Sequence, residues 1–268
     1  MKVRNLDLGK RVDIMLGIIL AGGTGTRLLP LTELVNKHLL PVYNQNMIMY
    51  PLNTLINAGI KDIMIVSGRE HAGQFLQILG SGRDFGVNLS YTVQENSGGI
   101  AEALGMCKRF TNGNKIAVVL GDNIFEDKFD FSNFREDARV YIKRVEDPQR
   151  YGVARIKKSK LEDNKIVEIV EKPDITKVDN ELIDKGGWGY AVTGLYLYDS
   201  RVFNIIQCLK PSKRDELEIT DVNNQYIKED RMDFEIVDGF WSDAGTHESL
   251  YNAATFVRNK EIEKSAMK

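Results

Sequence analysis

The chain has 268 residues, enough to bury a sizeable core as one large domain or as a core with a small appendage. A formal net charge of −2 implies no basic face for nucleic acid, and two cysteines and three histidines make neither a disulfide framework nor a zinc pattern. Residues 1–13 carry charges of both signs without an apolar signal core, and the run Ile14–Ala21 is too short to span a bilayer. The expectation is a cytoplasmic protein that needs no membrane, with a loosely ordered N-terminal extension (1–13) ahead of a single domain over 14–268.

Short β-branched runs alternate with helical spacing through the first half. Strands are predicted at Gly17–Leu20, Asp62–Val66, Leu89–Val93 and Ile116–Leu120. Between them, Met47/Ile48, Leu52 and Leu55/Ile56 follow helical spacing, as do Ala72, Phe75/Leu76 and Leu79, then Ile100, Ala103/Leu104 and Cys107. This alternation predicts an α/β fold, a Rossmann-like open and mostly parallel sheet with helices on both faces. Ligands then bind beyond the carboxyl ends of the strands. In the second half, Val140–Lys143, Val153–Ile156, Ile166–Val170 and Ala191–Tyr198 read as strands, several of them antiparallel. Helices are predicted at Asn204–Leu209, Leu217–Lys228 and Thr246–Arg258, the last with Thr246 as N-cap. This half is expected to form a lobe that closes the cleft. Cys107 and Cys208 both fall in apolar helical patterns and read as core residues.

Chemistry concentrates where predicted strands end. After Leu20 comes AGGTGTRL, whose backbone N–H groups can converge on phosphate oxygens without side-chain obstruction. No Gly-Lys-Ser/Thr closes it as a P-loop, and Leu28 stands where a dinucleotide fingerprint needs its third glycine. A tight turn alone would explain the glycines. Arg27 and Lys37 favour an anion, since each close cation is worth roughly 4 kcal/mol to a phosphate charge before desolvation. Asp122 follows Leu120-Gly121 at a strand tip, and Asp243 lies in WSDAG after another apolar stretch; both are placed either for Mg²⁺ on phosphate or for ordinary turns. Gln94 ends a strand before Gly98-Gly99 and offers a donor and an acceptor to a base edge. Glu171-Lys172 and Arg214-Asp215-Glu216 supply cations for a second phosphate and carboxylates for sugar hydroxyls, or are solvated surface charges.

Taken in order, GIILAGGTGTRLLPLT, NKHLLPVYNQNMIMYPL, VQENSGGIAEALG, VVLGDNIF, RYGVA, VEIVEKP, YAVTGLYLYD, KRDELEITDVNNQYI and FWSDAGTHESL resemble the glucose-1-phosphate thymidylyltransferases of the sugar-nucleotidyltransferase superfamily. The resemblance implies the nucleotide-diphospho-sugar transferase fold, Mg²⁺ as cofactor, and dTTP and glucose-1-phosphate as substrates, giving dTDP-glucose and pyrophosphate for deoxysugar synthesis. It implies that Arg27 stabilises the pyrophosphate, that Lys37 binds the triphosphate, and that Leu20, Gly22, Gly23, Thr24, Gly25 and Thr26 surround the nucleotide. Asp122 and Asp243 match the metal ligands, and Gln94 and Gly99 the positions that read thymine. Lys172 and Arg214 match groups on the sugar phosphate; Gly152, Glu171 and Glu216 match sugar contacts. A homodimer or homotetramer is implied.

Some features depart from the family pattern. The stretch Asp174–Gly189 is longer than the usual link, and Gly98 stands where many members carry an acid. The chain resembles the short form, without the C-terminal helices that build a regulatory site for dTDP-rhamnose. Two alternatives are a nucleotidyltransferase that uses another sugar-1-phosphate or UTP, and an inactive sugar-nucleotide-binding protein. The second would be expected to have lost Arg27, Asp122, Lys172 or Asp243, and all four are present.

Overall fold

In a computed structural model of the chain, residues 14–135, 137–157, 164–174 and 176–266 are described; the expected extension over 1–13 lies outside them. β1 (Met15–Ala21) carries apolar side chains on both faces, which suits only a central strand. The chain continues through a short hairpin, β2 (Pro41–Val42) and β3 (Gln45–Asn46), into α1 (Met49–Asn57), β4 (Asp62–Gly68), α2 (Ala72–Leu79) and β5 (Asn88–Gln94). Next come α3 (Ile100–Gly105), α4 (Lys108–Thr111), β6 (Lys115–Leu120) and β7 (Ile124–Phe125). The second half adds β8 (Ala138–Val145), β9 (Gly152–Lys157), β10 (Lys165–Glu171) and β11 (Gly189–Tyr198). It ends with α5 (Val202–Cys208), α6 (Ile219–Lys228), β12 (Met232–Ile236), β13 (Trp241–Ser242) and α7 (His247–Ala266).

One nine-stranded sheet runs through both halves in the order β10-β9-β11-β6-β1-β4-β5, with β8 and β12 branching from β11. β6, β1, β4 and β5 are parallel, joined by helical crossovers; β11 lies antiparallel to β6 and carries the mixed part. The mostly parallel sheet read from the alternation is therefore present, and the antiparallel strands fall in the second half as expected. Side-chain alternation along β1 divides the core. Ile18 and Leu20 pack with Ala101, Leu104, Val202 and Phe203 under α3 and α5, whereas Ile19 packs with Leu52, Leu55 and Phe75 under α1 and α2. Fully burying each such side chain stabilises the fold by roughly 2 kcal/mol.

Two expectations need correction. Cys208 is exposed, because it closes the last turn of α5 on the solvent side; only Cys107 is buried, and burial pushes its thiol up to about 12. α7 runs past Arg258 to Ala266, since nothing after Arg258 breaks a helix: the extension contains neither glycine nor proline. β12, whose mixed polar sequence gives no clear strand signal, pairs in parallel along β8. Thr246 does cap α7: its Oγ1 accepts from Ser249 N at 3.1 Å while Ser249 Oγ accepts from Thr246 N at 3.0 Å.

Residues 176–189 of the long stretch pack against β9 and β10. Leu182 and Ile183 are buried against Val153, and Asp184 accepts from the backbone of Gly186 and Trp188. Among the described residues, no helix is long and apolar enough to cross a membrane.

Candidate active site

The carboxyl ends of β1, β5 and β6 open on one side of the sheet and deliver the candidate residues together. β1 runs out into Gly22–Gly25 and a 3-10 turn at Thr26–Leu28, which the buried Leu28 anchors. Thr32 Oγ1 donates to Gly25 O at 2.8 Å and holds the loop's far end. A second 3-10 turn, Lys37–Leu39, is capped by Asn36, whose side chain accepts from His38 N at 2.9 Å. That cap aims Lys37 back at the glycine loop: an ideal Cβ on Gly23 would lie 3.5 Å from its Nζ.

Lys37 Nζ also donates to Asp122 Oδ2 at 2.5 Å, so the lysine beside the glycine loop and the strand-tip aspartate form one ion pair. Asp122 is only 8% exposed. Burial pushes its carboxyl up, but the Lys37 charge and hydrogen bond, with a further bond from Asn123, outweigh that and hold it below the ordinary carboxylate range. Beneath them sits His38, 2% exposed, with Nδ1 2.7 Å from Asn36 Oδ1. Burial, then the neighbouring Lys37 charge, lowers it to about 3, so the imidazole is neutral and serves as packing.

Asp243 arrives from the other end of the chain. β13 pairs antiparallel with β7, Trp241 facing Phe125 and Ser242 facing Ile124, which leaves Asp243 one residue and Asp122 two residues from a paired position. Asn123 ties this junction. Its Oδ1 accepts from Trp241 Nε1 at 2.7 Å and from Gly194 N at 2.9 Å, and its Nδ2 donates to Asp122 Oδ1 at 2.9 Å. Arg27 reaches the same loop, for an ideal Cβ on Gly245 would lie 3.0 Å from Arg27 Nη2 and 3.4 Å from Asp243 Oδ2. Arg150 Nη2 donates to both oxygens of Asp243, at 3.1 and 3.0 Å.

The second cluster starts two residues beyond Arg150. Gly152 pairs with Glu171 across β9 and β10. Glu171 Oε2 accepts from Thr220 Oγ1 at 2.6 Å, and its Oε1 lies 3.4 Å from Arg214 Nη2 and 3.5 Å from Lys172 Nζ. Arg214 is held more tightly by Glu218, at 2.8 and 2.9 Å, and stands 3.5 Å from Glu216. Lys172 has φ +42° and its N–H donates to Tyr151 O at 2.9 Å. The segment Arg150–Gly152 thus joins the two clusters directly. The buried Tyr196 phenol lies between them: its desolvation, with the nearby Glu171 and Asp122 charges, pushes it well above its ordinary range.

Gln94, 9% exposed, ends β5 with its Oε1 only 2.6 Å from an ideal Cβ on Gly22. Gly99 has φ +98°, and an added Cβ would stand 2.5 Å from Leu217 O; the need for glycine there comes from this backbone approach. Leu217 N donates to Gly98 O at 2.8 Å and Ala101 N to Leu217 O at 3.1 Å, which stitches the nucleotide half to the Glu216 segment.

The candidate residues therefore fall into three neighbouring groups: the glycine loop with Gln94, the Lys37–Asp122 and Arg27–Asp243 junction, and the Glu171–Arg214 cluster. Sequence reasoning missed Arg150, Asn123, Thr220, Glu218 and Glu102. Arg150 and Asn123 stand inside motifs already noted, but a lone arginine or asparagine has no role until its partner is known. The groove lined by Val167, Ile205, Cys208 and Asn224 contains none of the candidate residues. Among the described residues, no three His, Cys, Asp or Glu side chains form a ready-made metal cage. A divalent cation held largely by substrate phosphates needs no such cage, only one or two carboxylates.

The nucleotidyl transferase family profile matches residues 16–260. A glucose-1-phosphate thymidylyltransferase from Neisseria meningitidis is 42% identical over 252 residues, covering 91% of this chain and 83% of the relative. One from Mycobacterium tuberculosis is 39% identical, over 92% of this chain and 83% of its own. Among solved structures, one from Bacillus anthracis described as a glucose-1-phosphate thymidylyltransferase, in complex with sucrose, has a TM-score of 0.81 at 48% identity, covering 91% of this chain and 95% of that one. A UDP-glucose pyrophosphorylase complexed with UDP-glucose has a TM-score of 0.76 at 25% identity, over 92% and 99% of the two chains. Matched by the family profile over residues 16–260 and by relatives about 40% identical over some nine-tenths of its length, the chain belongs to the nucleotidyl transferase family, among the glucose-1-phosphate thymidylyltransferases.

Proposed function

We propose that the chain transfers a thymidylyl group from dTTP to glucose-1-phosphate, giving dTDP-glucose and pyrophosphate. A phosphate oxygen of the sugar attacks the α-phosphorus in line, the new P–O bond forms, and the bond from the α-phosphorus to the bridging oxygen of the β-phosphate breaks. The nucleophile is already an anion, so no side chain has to remove a proton. What the chain must do is bring two polyanions together and neutralise the leaving pyrophosphate. Glycine-loop amides and Lys37 hold the triphosphate, and Arg27 meets the charge that develops on the leaving group. Lys172 and Arg214 hold the sugar phosphate, while Gly152, Glu171 and Glu216 receive the sugar. Asp122 and Asp243 would hold Mg²⁺. When bound, that ion neutralises phosphate oxygens and fixes their orientation. The reaction belongs in the cytoplasm, in a homo-oligomer of even order.

The observation that carries this reading is the direct link through Arg150–Gly152. It supports two anion sites side by side, one for each phosphate. Purified protein with Mg²⁺ should release pyrophosphate from dTTP and glucose-1-phosphate in a matrix of nucleoside triphosphates against sugar-1-phosphates. Turnover only with another sugar phosphate, or equally fast with UTP, would replace the substrate assignment while keeping the reaction class. No turnover with any pair would leave an inactive binding protein.

A further inference from the structure

The Gln94 carboxamide is not free to present either face. Its Nε2 donates to Glu102 Oε2 at 2.7 Å and to Gly99 O at 3.3 Å, so both of its hydrogens are in use. A carboxylate and a backbone carbonyl can only accept. Turning the amide over would set Oε1 against two acceptors, which fixes the assignment by chemistry. The oxygen is then left facing Gly22 and the nucleotide loop.

Glu102 is itself held in place. Its Oε2 also accepts from Gly98 N at 3.1 Å, and its carboxylate fills the space that a side chain at 98 would need, with Cδ 2.5 Å from an ideal Cβ there. Gly98 and Glu102 are therefore a matched pair: the missing side chain makes room for the carboxylate that locks the glutamine. The donor-plus-acceptor character read for Gln94 from sequence narrows to acceptor alone.

Building on the proposed thymidylyl transfer, we propose that Glu102 is a positioning residue for base selection. It holds Gln94 with its oxygen toward the base, so the site takes a pyrimidine-2,4-dione, whose ring N–H donates. It disfavours cytosine, whose ring nitrogen carries a lone pair that would face the amide oxygen. A buried polar group left facing a like partner costs more than a missing contact, which is why such a lock discriminates.

The test uses the full chain as wild type, Glu102→Gln, Glu102→Ala, Gln94→Ala and the double variant Gln94→Ala/Glu102→Ala. Pyrophosphate release is measured with dTTP and dCTP at saturating glucose-1-phosphate. In Glu102→Ala the dTTP-over-dCTP preference in kcat/KM should fall by about tenfold, through the nucleotide KM, with kcat and the KM for glucose-1-phosphate held within about twofold, whereas Glu102→Gln, whose amide oxygen can accept the same two bonds, should keep most of the preference. The double variant should be no worse than Gln94→Ala, because the two residues act as one unit. An unchanged preference in Glu102→Ala, or additive losses in the double variant, would overturn the assignment. Equilibrium titration with dTTP and dCTP reads the same preference without turnover. A chain that failed to transfer thymidylyl groups would then sink the functional reading while still deciding the role of Glu102.

Discussion

Nη2 of Arg150 holds both carboxylate oxygens of Asp243, while its Nη1 holds Asp147 Oδ2 at 2.8 Å. The arginine thus fixes an aspartate that the proposed reaction needs at a set angle, and its own neighbour Gly152 borders the sugar cluster. Arg150→Gln should lower kcat by at least about tenfold and destabilise the fold by about 1–3 kcal/mol, since Asp243 is left partly buried without its partner. Arg150→Lys should restore much of the stability without the activity, because a point charge cannot serve two carboxylates in the same geometry. Urea unfolding and pyrophosphate release separate the two effects. Full activity in Arg150→Lys would show that charge alone suffices.

The proposed reaction assigns Asp122 and Asp243, from distant parts of the chain, to one Mg²⁺. Asp122→Asn and Asp243→Asn should each cost about a hundredfold or more in kcat, the scale of losing one preorganised charge in a dry site. Each should also raise the Mg²⁺ concentration needed for half-maximal rate. Circular dichroism should show the sheet intact, because Asn123 keeps its bonds to Trp241 and Gly194. Near wild-type rates in both variants would remove the metal assignment.

Arg27 can be displaced without being mutated. A Cβ at position 245 would meet Arg27 Nη2 at 3.0 Å, and the end of a long side chain gives way easily. Gly245→Ala should leave the thermal midpoint within a few degrees and reduce kcat/KM for dTTP by about tenfold, the effect expected from a misplaced cation. A variant with unchanged kinetics would mean that the guanidinium has no fixed task.

His38 sets an acid limit on stability. Its value falls from 6.5 in the unfolded chain to about 3 when buried, so between those values the unfolded state binds a proton that the folded state refuses. Stability therefore rises with pH through that window and is complete above its upper end. At pH 5 the loss is about 2 kcal/mol relative to neutral pH. Asp122, held below its ordinary value by Lys37, adds a further loss only at more acid pH. Urea titrations at pH 5 and pH 7 should show the difference in wild type, and His38→Gln should flatten it. An equal slope in both proteins would place the titration elsewhere.

Much of this was legible in the residues because it is local. The strand before the glycine loop, the Asp122 turn and the Thr246 cap each depend on neighbours in sequence, where periodicity and turn chemistry act. Glycine at 99 was also visible, but its reason was not: φ +98° and the approach of Leu217 O belong to a contact between halves. The exposed Cys208 was misread because an apolar helical pattern does not say which side of a short helix meets solvent.

By itself, the sequence determined the α/β alternation, the glycine-rich loop after β1 and the kinds of side chain available at the strand ends, since propensity and spacing are written into short segments. Tertiary structure decided which of them meet. It put Lys37 on Asp122, Arg150 on Asp243 and Glu102 on Gln94. Ion pairs and amide orientation depend on distances of a few ångströms between remote segments, and only the closing of the sheet sets those distances.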